Sequence, residues 1–379
     1  MMRNLLGSAV FSLSVAAMSP LAMAAFQDPV DTPAMMSAQA VSSTLLAIEA
    51  TGARVVAAGP RGHIVLSDDQ GKTWRQAQVP VSTDLVALAF PSPSKGWAVG
   101  HGGVLLRSED FGDTWHRVFE GKAIAQLVLE YYQARVSPAA EGATEAEAGP
   151  DALPDGEAAG PATAAEAALL QAQRQVEDAA MGAAPPLLDV HFQDENNGFI
   201  VGAFNQIIAT RDGGVSWQPL FEQVDNPDSL HFYAVAGAGK DVYLAGEQGK
   251  VWRLDPASGR FRMVATPYNG TFFGLVASPS SVIAFGMRGS VYRSSDQGAS
   301  WQRIEIQGHA GIVGGARLAD GRIVLVSVAG QVLQSRDDGK TFAVVQVAPA
   351  MRSYFGLAAV DGDKLALVGK RGIVVGVVQ

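Results

Sequence analysis

Five aspartates, Asp69, Asp110, Asp212, Asp296 and Asp337, are each bracketed by hydroxyls, and such a carboxylate is a candidate catalytic acid or base. Their setting recurs as Ser/Thr-x-Asp-x-Gly-x-Thr/Ser-Trp. It runs Ser67 to Trp74, Ser108 to Trp115, Thr210 to Trp217 and Ser294 to Trp301, then Ser335 to Phe342 with Phe in place of Trp. Five copies of one turn are a structural device rather than five active sites. The aspartate accepts hydrogen bonds from the turn's own N–H groups, and the aromatic residue starts the following strand.

Other chemistry is thin. The six histidines (63, 101, 116, 191, 231, 309) show no ligand spacing, and with no cysteine there is no thiolate site, disulfide or thiol nucleophile. Asp225-Asn226-Pro227-Asp228 is oxygen-rich but lacks a calcium-loop pattern and reads as a turn. Gly100-His101-Gly102-Gly103 is followed by no Lys-Ser/Thr and is not a phosphate loop. No metal and no cofactor is expected.

Arginine is the more promising residue. Arg61, Arg288 and Arg371 occupy like positions in repeated Gly-x-x-Gly turns, Lys370 precedes Arg371, and Arg352 enters the last unit. With His101 they form a candidate cationic cluster, and a guanidinium fork suits carboxylates, including a peptide C-terminus or an acidic segment. Tyr233, Tyr268, Phe272, Phe273, Tyr354 and Phe355 stand near the starts of inner strands and read as core or channel lining.

The elements that position these residues follow from a second repeat. A hydrophobic pair, Gly, two residues and usually Gly begins at Gly59, Gly100, Gly202, Gly246, Gly286, Ser327 and Gly369, at spacings of 41, 102, 44, 40, 41 and 42. Seven units of that length, rich in β-branched residues and Gly turns, predict an all-β, seven-bladed β-propeller. Each unit reads as four strands; in the second these are Asp84–Phe90, Gly96–Gly100, Gly103–Arg107 and Thr114–Phe119. Leu254 to Gly259 is a degenerate Asp-box in the fourth unit.

The seventh unit shows only Phe355–Val360, Lys364–Gly369 and Gly372–Val377. An outer strand is lacking, and Phe26–Gln39 is expected to supply it and close the ring, as an N-terminal strand.

Residues 1–24 read as a signal peptide, with Arg3, apolar Leu5–Ala17 and a small-x-small site at Ala22-Met23-Ala24. Residues 25–120 then carry the closing strand and blades 1 and 2, and 187–379 carry blades 3 to 7. Between them, 121–186 is an Ala/Glu-rich insertion. It is read as helical at Ala123–Arg135 and Ala164–Met181 and disordered between, with ten acids against three bases from Lys122 to Pro186. A solvated surface excursion is one reading of it. The other is an arm that docks on a partner through Leu127, Leu129, Tyr131 and Tyr132. Deletion of residues 122–185 is expected to leave the ring folded. The address is periplasmic, with secretion the alternative. An acidic chain without a basic stripe argues against nucleic acid, no membrane span is expected once the signal is removed, and a monomer is expected.

With its five boxes and seven units, the region from Leu45 to Gln379, less the insertion, resembles the Asp-box (BNR-like) propellers. Within these it looks most like the photosystem II assembly and stability factors and their non-photosynthetic bacterial relatives. The resemblance implies a lumenal or periplasmic, non-enzymatic assembly factor that holds a membrane-protein client on an arginine patch, matched here by Arg61, Arg288 and Arg371. It also implies a link to exporters of the resistance-nodulation-division type. The acidic insertion departs from the photosynthetic pattern. The leading reading is an interaction scaffold for a membrane-protein complex. A carbohydrate- or small-ligand-binding propeller is the alternative. A sialidase-like glycosidase is the third, since sialidases share the Asp-box; it lacks the Arg-Ile-Pro motif, and its only nameable pair is Tyr354 with Glu247.

Overall fold

The computed structural model describes residues 27–142 and 161–378. The leader read at residues 1–24, Phe26, and residues 143–160 of the stretch read as disordered lie outside them; the two ends of that stretch, 136–142 and 161–163, are helical instead. Seven four-stranded antiparallel sheets form the blades of a propeller. The innermost strands are Ala47–Thr51, Leu85–Ser92, Leu187–Phe192, Phe232–Ala238, Phe272–Ala277, Ile312–Arg317 and Gly356–Asp361, and the first packs against the last. In blade 2 the strands are Leu85–Ser92, Lys95–Gly100, Leu105–Ser108 and His116–Phe119, within two residues of the expected boundaries.

The ring has two faces. The lower face carries the Asp-boxes and the hairpins between first and second strands. The upper face carries the turns between second and third strands and the links from blade to blade. In the first box, Asp69 Oδ1 accepts the Thr73 N–H at 2.8 Å and Oδ2 accepts the Thr73 hydroxyl at 2.6 Å. The Ser67 hydroxyl donates to Asp69 and accepts the Gly71 N–H at 2.7 Å. The other four boxes repeat this pattern. Hydrogen bonds from the Ser216 and Ser300 hydroxyls, then from their backbone N–H groups, hold Asp212 and Asp296 down at about 2. These carboxylates are saturated as turn acceptors, as the repetition implied. Trp74, Trp115 and Trp301 donate their indole N–H to the box glycine's carbonyl, whereas the Trp217 indole N–H has no partner among the described residues and its ring stands edge-on to Trp97 at 5.6 Å.

The box also fixes the spacing between blades. Gly214 has φ +82°, and a Cβ there would lie 2.1 Å from the Trp97 ring of the preceding blade. Only glycine allows both the backbone conformation and the approach.

Closure of the ring differs from expectation. The outer strand of blade 7 is Val347–Ala348, which pairs with Val378 and Val377, and not the N-terminal segment. One extended run is shared between two sheets: Ala343–Val345 completes blade 6 and Val347–Ala348 edges blade 7. The N-terminal segment instead crosses blades 1 and 2. Pro29–Asp31 is a single 3-10 turn capped by Asp28, the Ala34 N–H donates to Val79 O at 3.0 Å, and Asp31 pairs with Arg117 at 2.7 Å. Farther along, Ala40 and Leu45 are fully buried in the seam between blades 1 and 7, with Val55, Ala366 and Val368, and the Leu45 N–H donates to Gly369 O at 3.1 Å. Closure is therefore a wedge of side chains rather than a shared strand.

The insertion forms helices α1 (Gly121–Gly142) and α2 (Pro161–Ala180), packed on each other above blade 3. Ile124, Val128 and Tyr132, spaced four apart on one face, are buried in the largest apolar cluster together with Leu187, Leu220 and Phe221. Ala165, Ala168, Ala172 and Ala179 of α2 are buried as well, small enough for close helix approach. A solvated excursion is thus ruled out for these stretches. Of the four residues expected to form a free docking face, Tyr132 is fully buried and Leu127, Leu129 and Tyr131 are partly buried against the same cluster. The apolar face of α1 is used within the chain.

Candidate protein-docking face

The turns of the upper face are built on left-handed backbone. In Pro60-Arg61-Gly62, Arg61 has φ +59° and Gly62 +68°; Gln248 (+53°) and Arg288 (+58°) repeat this in blades 4 and 5. The flanking glycines are needed for another reason: a Cβ at Gly62 would lie 2.0 Å from Val81 O. An Arg in this region costs about 1 kcal/mol relative to Gly, and the turn holds its side chain away from the sheet.

Arg61, His101, Arg288, Arg352, Lys370 and Arg371 are all exposed. Arg352, Lys370 and Arg371 come together on blade 7, where they line a cavity of about 390 Å³ with Ala350, Met351 and Ser353. Arg61 stands on the adjoining blade 1, His101 on blade 2 and Arg288 apart on blade 5. Among the described residues, no carboxylate pairs with Arg61, Arg288, Arg352, Lys370 or Arg371. The lower face is mixed: Arg54 and Arg75 bond Asp113, Arg253 bonds Asp241, Arg293 and Arg317 share Asp338, and Arg322 bonds Asp320 and Asp363, whereas Lys72, Arg211, Lys240 and Lys340 are exposed with no carboxylate paired to them among the described residues.

A feature absent from the sequence reading lies at the mouth of the channel. Blades 2 to 6 carry a β-bulge at the top of the innermost strand, which leaves Val86, Leu188, Tyr233, Phe273 and Val313 as the extra residues. Leu46 and Phe355 stand likewise in blades 1 and 7, where their N–H groups donate to Ala58 O and Val368 O at 2.8 Å. All seven are half-buried, whereas the residue before each is buried. A bulge re-aims one side chain, and here it turns an apolar group from each blade toward the axis. Of the aromatic residues noted in the sequence, Phe272 and Tyr354 are core, Tyr233, Phe273 and Phe355 belong to this ring, and Tyr268 is half-buried at its rim, its hydroxyl donating to Met287 O at 3.1 Å.

Deeper in the channel stand two carboxylates. Asp189 accepts the N–H of Val190 at 2.9 Å and of Val235 at 2.8 Å, yet burial pushes it up to about 7. Burial, then repulsion from Asp189, raises Glu49 to about 7 as well. Burial lowers the neighbouring His191 to about 4, so it is neutral. Tyr354 and Glu247 share no site: the Tyr354 hydroxyl accepts the Met351 N–H in blade 7, while Glu247 accepts the His231 N–H in blade 4. Among the described residues no His, Cys, Asp and Glu cluster could hold a metal, and no helix is long and apolar enough to cross a membrane.

A family model described as photosynthesis system II assembly factor YCF48 matches residues 21–124 and 169–343, the propeller on both sides of the insertion. The chain belongs to that family. Photosystem II assembly lipoprotein Ycf48 of a Synechococcus species is 25% identical over 161 residues, 41% of this chain and 47% of the relative. The Nostoc protein of the same name is 28% identical over 164 residues, 41% of this chain and 46% of the relative. The matched stretch thus spans about half the length of these relatives. Among solved structures, YCF48 bound to D1 peptide is similar with a TM-score of 0.56 at 14% identity, over 91% of this chain and 96% of that one. YCF48 from Cyanidioschyzon merolae gives 0.57 at 15%, over 89% and 96%. The WD40 propeller domain of Doa1 gives 0.57 at 10%, over 93% and 96%, so at this level the likeness speaks for the fold alone. The family match runs through Arg61, His101 and Arg288 and stops before Arg352, Lys370 and Arg371.

Proposed function

We propose that this chain is an exported, non-enzymatic assembly scaffold that holds a carboxylate-bearing segment of a membrane-protein client on its upper face. One observation carries the reading: Arg352, Lys370 and Arg371 converge on one cavity of that face, and among the described residues no carboxylate pairs with them. Unpaired guanidinium groups beside a shallow cavity are ready to form bidentate bonds with carboxylates and lose little internal bonding on doing so. The relative solved with a D1 peptide supports a peptide as the kind of client. A periplasmic address follows from the leader read in the sequence, and an exporter complex is the client class to test first. The saturated Asp-boxes and the separation of Tyr354 from Glu247 favour binding over glycoside hydrolysis.

The test is capture from solubilised membranes by the wild-type chain and by a variant with Arg61, Arg288 and Arg371 changed to Glu. The expected result is loss of the captured membrane proteins with the melting temperature kept. Recovery of the same set by the variant refutes the cationic face.

A further inference from the structure

The upper face has two unlike halves. Most of its unpaired cations gather on blades 7 and 1, with Arg288 apart on blade 5, and its aromatic groups lie on blades 3 to 5. Phe204, in the blade 3 turn, is 54% exposed. Its ring lies 4.5 Å from His231, which lies 6.4 Å from Tyr233, which stands edge-on to Phe273 at 6.0 Å. This is a continuous aromatic track from the rim of the face down to the ring of bulge residues.

Core packing does not account for Phe204. Phe204 has φ +56° and Asn205 +60°, a backbone conformation that bulky residues rarely adopt. A buried amide network holds it there: the Asn205 N–H donates to Leu230 O at 3.2 Å, and Asn226 Nδ2 donates to Asn205 Oδ1 at 2.9 Å. From above, Gln171 of α2 donates to Phe204 O at 2.7 Å. Strained backbone, buried anchors and a helix contact thus combine to keep a phenyl ring in solvent, an arrangement that points to use of the ring.

We propose that the upper face reads an extended, bipartite partner segment: an aromatic or aliphatic side chain lies on the Phe204–His231–Tyr233 track while carboxylates of the same segment reach Arg352, Lys370 and Arg371. The proposal rests on the cationic face argued above and adds its apolar half. Charge complementarity selects a peptide with an acidic end, and the track selects an apolar residue at a distance from it.

The experiment is fluorescence anisotropy on the full chain with three synthetic peptides. One has an aromatic pair at one end and an acidic run at the other; one has serines for the aromatic pair; one has neutral amides for the acids. The bipartite peptide is expected to bind about tenfold more tightly than the serine peptide, and Phe204→Ala to abolish that advantage without weakening the serine peptide. Phe204→Trp should retain it, and an unchanged urea midpoint for both variants shows that the fold is intact. Equal binding of the bipartite and serine peptides by the wild-type chain, or undiminished binding of the bipartite peptide by Phe204→Ala, overturns the proposal. In that event loss of the serine peptide on Arg352→Glu/Arg371→Glu leaves the cationic face standing. Retention of the serine peptide by that double variant refutes the cationic face and, with it, the bipartite reading.

Discussion

The attachment of the helical insertion turns on Tyr132. It is fully buried, its hydroxyl donates to Glu222 Oε2, and the Tyr132 hydroxyl oxygen accepts the Phe221 N–H at 3.1 Å. Burial, then the Glu222 charge, raises the phenol far above its ordinary value, so it stays a donor at every working pH. Tyr132→Phe keeps the ring and removes both bonds. A hydrogen bond to a charged group contributes about 1.5–3 kcal/mol, and an orphaned buried N–H costs about 1–3 kcal/mol. Arg135, 3.4 Å from Glu222 Oε1, offsets part of the loss on the carboxylate. The net expectation is about 2–4 kcal/mol, measured by urea unfolding followed by tryptophan fluorescence. Tyr131→Phe is the control, since Tyr131 is only partly buried, and it should cost no more than about 0.5 kcal/mol. A Tyr132→Phe chain within about 0.5 kcal/mol of wild type, with the control equal to it, refutes this account of how α1 is anchored.

Two other outcomes follow from the ring itself. Gly214→Ala should destabilise by about 3 kcal/mol or more, because it adds left-handed strain and a clash with Trp97; Gly52→Ala, with φ +62° and nothing near its Cβ, should cost only about 1 kcal/mol by the same unfolding assay. Glu49 concerns pH. A carboxyl raised to about 7 in the fold is neutral in both states below about pH 4, where it has no effect. As pH rises from about 4 to about 7 the unfolded chain ionises first, so stability falls, and the penalty is constant above that. Glu49→Gln should therefore raise stability at pH 8 by on the order of 1–3 kcal/mol and leave it unchanged at pH 4. An equal effect at both values argues against the assignment.

The blades were legible because their turns demand particular residues. An Asp-box needs its carboxylate, hydroxyls and glycine within eight positions, and all five copies have the geometry that their sequence implies. What escaped was shared or long-range. Ala343 to Ala348 holds no turn residue, only Gln346 parts its two short strands, and only the approach of Val377 and Val378 assigns its end to blade 7. The face of α1 was misread because Leu127 to Tyr132 is apolar nearly all round, so the decisive spacing of Ile124, Val128 and Tyr132 was hidden. The bulge ring did leave a trace. Each inner strand opens on two large apolar residues in succession, from Leu45-Leu46 to Tyr354-Phe355. Strict alternation has no place for the second, which makes the doublet a mark of a bulge. Glu49 and Asp189 look like ordinary polar interruptions until the strands that carry them are brought round the axis.

The run divided between blades 6 and 7 bears on the order of folding. Since Val347–Ala348 precedes the rest of its sheet by only a few residues, every blade is made from neighbouring chain, with the hairpin above blade 3 as the single long detour. No sheet has to wait for a distant terminus to arrive, so the strands can register one module at a time as the chain emerges. The costly long-range event is postponed to the end, when Ala40 and Leu45 seat against a finished seventh module and the circle locks.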